Sequence, residues 1–364
     1  MIHQIRTIDA HTAGEPLRLV VEGLPAPEGA TMLARREWAR KHLDHLRRAI
    51  MLEPRGHADM YGALLTEPVT PGAHAGVLFM HNDGWSTMCG HGVIAVATIA
   101  VERGLMWDAA TAGGPVVEMV LDVPAGPVPA RATFETVDGR ARVTDVAFEN
   151  PPSFVLAPGV PMSLGGRTFT VDVSFGGAFY AIVDAEAVGL SIDVARLPEL
   201  RRTGMAIARE AEKLVKVVHP LEPGLTGIYG TIFTAPPQAA GAHLRNVTIF
   251  ADAEVDRSPC GSGTAAVMVA TEVIRIGRKR MGQASSRASC TAKPCLRRSL
   301  VNSTSKMEFF FTMPIKSKIP IMLYKLSDCP VKAKPKNAPV ILKGNANNTN
   351  TGCIKLLNCE PKII

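Results

Sequence analysis

The first 285 residues of this 364-residue chain hold only two cysteines, Cys89 and Cys260. The other five, Cys290, Cys295, Cys329, Cys353 and Cys359, all come later. An odd total, uneven spacing and no secretory leader argue against a disulfide framework. Lysine is almost as scarce: up to residue 280 there are four, Lys41, Lys213, Lys216 and Lys279. No run of about 18 apolar residues lacks a charge or a breaker, so no membrane helix is expected. The opening MIHQIRTIDAHTAGEP has no basic stretch followed by an apolar one, so the expected location is cytoplasmic. The body also lacks net charge. The formal +7 resides in residues 301–364, where ten lysines face three acids, Glu308, Asp328 and Glu360. A neutral body offers no phosphate-binding surface, so no nucleic-acid partner is expected.

What the body does contain is one pattern used twice. MCGHGVIAVA begins at Met88 and PCGSGTAAVMVA at Pro259. With Cys89 laid on Cys260, both read Cys-Gly-x-Gly followed by small or β-branched apolar residues. A cysteine at a helix start sits beside unpaired backbone N–H groups and the positive end of the helix dipole, and both favour thiolate. The flanking glycines let a ligand approach the backbone, and their N–H groups can hold a carboxylate. Two such halves facing each other present two sulfurs to one ligand. Inverting a carbon α to a carboxylate needs that arrangement: one group removes a proton from one face, and another delivers a proton to the opposite face. No cofactor is required.

Blander readings compete. A lone cysteine is most often a small buried hydrophobe, and Cys89 and Cys260 could pair as a disulfide. Cys89 and His91 offer two metal donors, but no CxxC or HxxxH completes a set, so no metal is expected. The spacings Cys290 to Cys295 and Cys353 to Cys359 are weak metal signals. His91 can tune the thiol or orient a carboxylate, or simply bond backbone at a helix start. Asp256 and Ser258 suit a turn before the second helix; Asp256 alternatively suits a substrate ammonium. His11, Glu15 and the EPRGH turn (Glu53 to His57) read best as ordinary strand-end turns.

Around these motifs the chain alternates strand and helix signals. Residues 2–24 read as two strands joined by HTAGEP, residues 31–50 as a helix, and residues 75–82 as a strand. The apolar stretch after Cys89 is a helix ending at Gly104. Residues 115–150 suggest antiparallel strands, TFTVDVSFGGAFYAIVDA a hairpin, and 194–217 an amphipathic helix. TGIYGTIFTA and RNVTIFADAEV read as strands before the second apolar helix, which ends near Gly277. Each half is thus strands, a Cys-Gly turn and one helix apolar nearly all round, so buried. The expected class is α+β, with an N-terminal half over 1–122 and a C-terminal half over 123–283. Residues 284–364 form an atypical Lys/Asn-rich tail, read as non-native or poorly ordered.

MCGHG together with DRSPCGSG resembles the proline racemase family, which includes proline racemase, 4-hydroxyproline epimerase and trans-3-hydroxy-L-proline dehydratase. IDAHTAGEP, AIMLEPRGHADMYGALLTEP, FMHNDGWSTMCGHG, VDVSFGGAFYAIV and NVTIFADAEVDRSPCGSGTAA extend the resemblance over roughly residues 3–283. It implies a two-domain fold like that of diaminopimelate epimerase, each domain a strand-rich layer around a central helix, with the active site in the cleft. It implies Cys89 and Cys260 as the two acid/bases, and Gly90, His91, Asp256, Gly261 and Ser262 as substrate-binding positions. The family usually has Thr where Ser262 stands. Dehydratases of the family typically carry Thr in place of the second cysteine, because elimination needs one base on one face. Cys260 therefore favours racemisation or epimerisation of proline or hydroxyproline, with the dehydratase and an inactive proline-binding pseudoenzyme as alternatives. The implied partner is the small-molecule substrate alone; a homodimer is compatible, and neither membrane nor nucleic acid is expected. After GQASS the chain no longer resembles the family, which continues with further strands.

Overall fold

The computed structural model describes residues 4–106, 113–239 and 242–271, with the backbone of Met307–Thr312 and Ile321–Leu326. Its body is two sheets, each packed on one of the two apolar helices. The first sheet has seven strands in chain order: β1 (Arg6–Thr12), β2 (Glu15–Glu22), β3 (Tyr61–Thr66), β4 (Ala75–His81), β5 (Val116–Val123), β6 (Gly126–Val137) and β7 (Arg140–Phe148). It curls around α3 (Gly90–Arg103), which touches β1, β2, β3, β5, β6 and β7. Every residue of α3 from Gly90 to Val101 is buried, as an all-round apolar sequence requires. Gly104 ends the helix in the left-handed conformation, with φ of 61°.

The outer face of this sheet is covered by α1 (Met32–His42) and α2 (Asp44–Met51). The expected single helix over 31–50 is broken at Leu43, whose φ and ψ of −111° and 0° mark the junction. The break turns Arg47 inward, where its guanidinium donates to the carbonyls of His81 (2.7 Å) and Asn82 (2.6 Å) at the end of β4.

The second sheet has six strands: β8 (Phe154–Leu164), β9 (Arg167–Phe175), β10 (Phe179–Asp184), β11 (Ile228–Ala235), β12 (Arg245–Phe250) and β13 (Glu254–Val255). Strand alternation splits its side chains between two faces. Ala181, Val183, Phe233 and Ile249 pack on α4 (Leu197–Leu214). Tyr180, Ile182 and Ile232 pack on Ala266, Val267 and Ala270 of α5, described over 261–271. The sheets change between Phe148 and Phe154. The hairpin over 126–148, expected in the second half, therefore hydrogen-bonds into the first sheet. Strand β8 was not expected: its prolines hide the pattern, and it pairs with β9 through two register shifts.

The expected end of the second helix near Gly277 lies outside the described residues. So does the proposed tail, except that Met307–Thr312 and Ile321–Leu326 pair antiparallel as a separate two-stranded sheet. Among the described residues no helix is long and apolar enough to cross a membrane.

The β9–β10 turn seats the second helix. A β-carbon built on Gly176 would fall on the Ser262 carbonyl oxygen and 2.7 Å from the Ala266 amide nitrogen. Both are backbone atoms and cannot give way. Gly176→Ala should therefore cost about 2–4 kcal/mol, read as a lower midpoint in thermal or denaturant melting. An unchanged midpoint would show that the turn does not set the helix position.

Candidate active site

The two Cys-Gly turns meet. A β-carbon on either Gly90 or Gly261 would lie 3.0 Å from the α-carbon of the other, with the Phe148 ring at 3.2 and 3.5 Å. Only residues without side chains allow two helix starts this close. The contact aims both helix N-termini at one cavity between the sheets. That cavity is lined by all seven expected residues: Cys89, Gly90, His91, Asp256, Cys260, Gly261 and Ser262.

Cys89 caps α3: its sulfur accepts the Gly92 N–H at 3.2 Å. Cys260 repeats the device, its sulfur accepting the Gly263 N–H at 3.3 Å. Both are free thiols. The amides of Gly90, His91, Gly261 and Ser262 belong to first turns, which have no partner within their own helix. Four N–H groups at two positive helix ends are suited to a carboxylate.

The helix ends do not by themselves lower the thiols, contrary to the expectation from the sequence. Burial dominates and pushes Cys89 well above the usual thiol range, although the Gly92 N–H opposes it. Burial, and then the Asp256 charge, lift Cys260 to about 12. The unliganded site is therefore a dithiol at neutral pH. Desolvation also shapes the neighbours. It holds His91 neutral, down at about 3, with a ring nitrogen 3.2 Å from the Cys89 sulfur. It raises Asp256 to about 6, against the N–H and hydroxyl of Ser258, which donate to Asp256 Oδ1 at 3.1 and 3.0 Å.

The structure adds residues that the motifs did not reveal. Tyr61, Tyr180 and Tyr229 wall the cavity with Met88 and Phe250. The Tyr180 hydroxyl lies 2.7 Å from Ser262 Oγ and 3.6 Å from the Cys260 sulfur. The Tyr61 hydroxyl donates to Ser86 Oγ at 2.8 Å and sits 3.3 Å from that of Tyr229, joining the two halves. A signal for them existed: the chain has only four tyrosines, and three are here. Glu15, expected as an ordinary turn residue, is instead fully buried behind the cavity. Its Oε2 accepts the Arg257 N–H at 2.7 Å across the seam. Glu15, His91 and Asp256 each bring one donor atom within 4.8 Å of the others. With the His91 ring already against the Cys89 sulfur, we read them as a titrating cluster. His11 and the EPRGH turn remain outside the site: His11 Nδ1 accepts the Gly14 N–H at 3.2 Å, and the Arg55 side chain donates to the Ala49 carbonyl at 2.8 Å.

Comparison with known proteins bears on the family and the fold. The family model described as proline racemase matches residues 7–291. A trans-3-hydroxy-L-proline dehydratase of Bacillus cereus is 50% identical over 260 residues, 71% of this chain and 75% of the relative. The human protein of the same name is 43% identical over 264 residues, 72% and 73% of the two chains. Among solved structures, a hydroxyproline epimerase from Agrobacterium vitis with bound trans-4-hydroxy-L-proline is 26% identical, with a TM-score of 0.66 over 79% of each chain. A probable proline racemase from Agrobacterium radiobacter with bound carbonate is also 26% identical, with a TM-score of 0.67 over 88% of each. The two-sheet α+β architecture expected from the sequence motifs is therefore that of known relatives. The chain belongs to the proline racemase family.

Proposed function

We propose that the protein inverts the α-carbon of proline or a hydroxyproline by two-base proton transfer between Cys89 and Cys260, without a cofactor. The observation that carries this reading is the convergence of both cysteines, each at a helix start, on one cavity through the Gly90–Gly261 contact. The first-turn amides of both helices take the substrate carboxylate and stabilise charge that develops on it as the α-proton leaves. Asp256 takes the ring ammonium. Pairing with Asp256 weakens the neighbouring charge that, after burial, raises Cys260. One thiol can then ionise and remove the α-proton, while the other delivers its proton to the opposite face. The two exchange roles in the reverse direction.

A second reading is dehydration of trans-3-hydroxy-L-proline, favoured by the relatives of that name at 43–50% identity. In that substrate the α-hydrogen and the 3-hydroxyl lie on the same ring face. A single cysteine can take the proton and return it to the departing hydroxide, so the second thiol is dispensable. Both reactions share the first step and diverge in the need for the opposite sulfur.

Incubation with L-proline and with both hydroxyprolines in D₂O, with NMR detection, tests these readings. Inversion with deuterium at the α-carbon is expected. Cys89→Ser and Cys260→Ser should each lower it by about 10²–10⁴-fold. Elimination from trans-3-hydroxy-L-proline that survives in one of the two variants would select the dehydratase. Binding without exchange or elimination in the wild type would leave only a proline-binding pseudoenzyme.

Buried thiols also predict a reactivity profile. Because Cys260 is lifted to about 12, its thiolate fraction keeps growing well above the range where an ordinary thiol is fully ionised. Iodoacetamide labelling of the Cys260 peptide, read by mass spectrometry, should rise about tenfold per pH unit up to pH ~10. A midpoint near pH ~8.5, with the rate level by pH ~10, would show an ordinary thiol.

A further inference from the structure

Glu15 takes no part in the proton transfers between the sulfurs, yet it is fully buried, and its Oε1 has no hydrogen-bond partner among the described residues. A carboxylate in that position is costly unless it is neutral or compensated. Its surroundings show which. Asp256, within 4.8 Å, accepts two hydrogen bonds from Ser258 on one oxygen. Glu15 accepts one, from the Arg257 N–H. The charged groups facing Glu15 are Asp256, Asp59 and Arg257. The Arg257 guanidinium stands 3.8 Å away and is half exposed, so water screens it. His91, the remaining member of the cluster, is neutral. Two close buried carboxyl groups cannot both ionise cheaply, and the better-solvated one ionises first. Asp256 therefore carries the charge, and Glu15 Oε1 carries the proton. Burial first, and then the Asp256 charge, push Glu15 well above the usual carboxylate range, in agreement with this assignment.

We propose that Glu15 is the positioning residue of the amine subsite: it fixes the Asp256 strand segment from the opposite half, holds the spare proton of the Glu15–Asp256 pair, and releases it when a ring ammonium binds. The proposal rests on the amino-acid reading of the site above. On binding, the O–H bond of Glu15 breaks, its electron pair stays on the carboxylate, and the proton leaves to buffer. The unliganded pair thus carries one negative charge and the liganded pair two, the second offsetting the incoming cation. The site then prefers a cationic secondary amine over a neutral ring of the same shape.

Infrared difference spectroscopy on the full chain tests this directly. In the unliganded wild type at neutral pH, a protonated carboxylic acid C=O band is expected, and Glu15→Gln should remove it. L-proline should abolish the band, whereas tetrahydrofuran-2-carboxylate, with an ether oxygen in place of the ammonium, should leave it. Glu15→Gln keeps an acceptor for the Arg257 N–H but cannot release a proton. It should raise KM for the amino acid about tenfold while kcat stays within about threefold. No such band in the wild type, a band that persists with bound L-proline, or an unchanged KM in Glu15→Gln would each overturn the proposal. Failure of the parent reading looks different: the Glu15 band is present, but no substrate exchanges its α-proton.

Discussion

The contact between Gly90 and Gly261 is the constraint on which the rest of the site depends. Two helix starts can touch at their α-carbons only if both lack a side chain, and here they do, at 3.0 Å for an added β-carbon. Each helix is fixed in turn by its own sheet: α3 inside seven curled strands, and α5 against Tyr180, Ile182 and Ile232. Because the starts abut, both positive helix ends and both capping sulfurs serve one volume. On the proposed reading a carboxylate bound there is held from two sides, with the ring between the two sulfurs rather than beside one.

The same closeness removes water and so sets the protonation states. Burial lifts both thiols, lifts Asp256 and Glu15, and lowers His91. Every shift favours the neutral form, so at neutral pH the thiols and His91 are uncharged and Asp256, at about 6, is left ionised. A zwitterionic amino acid brings both signs at once. On the proposed reading its carboxylate meets first-turn amides, and its ammonium meets the carboxyl pair. In a largely buried cavity each charge is less screened and counts for more than it would in water.

Much of this was legible in the sequence because it was written in local patterns. The repeated Cys-Gly-x-Gly and the apolar segments after it specify two buried helix starts, and for the first helix also its end at Gly104, without reference to the rest of the chain. The VDVSFGGAFYAIV hairpin was visible for the same reason. What was not legible depended on the seam. Glu15 is a turn residue by its neighbours in sequence, and only the crossing of the Arg257 segment makes it a buried carboxyl. The tyrosine walls come from β3, β10 and β11, strands of two different sheets, and no local period links them. The expected lowering of the thiols failed on the same ground. Helix dipoles can be read from a pattern, but desolvation is a property of the assembled halves.

The choice between inversion and elimination then turns on the fate of the carbanion. Once the α-proton has gone to sulfur, the substrate is planar at that carbon in either reaction. If the opposite face holds a proton donor, the carbanion is quenched there and the centre inverts. If a hydroxyl on the adjacent carbon is aligned with the developing orbital, it departs first. Both sulfurs line this cavity from different helices that meet head to head, and on the proposed reading the second would be the donor on the opposite face. A site built only for elimination has no need of that second sulfur. The Tyr180 hydroxyl, from the second sheet, stands 2.7 Å from Ser262 and 3.6 Å from Cys260. The presence of Cys260 in this setting is the physical ground on which we propose inversion where relatives of similar sequence are named for elimination.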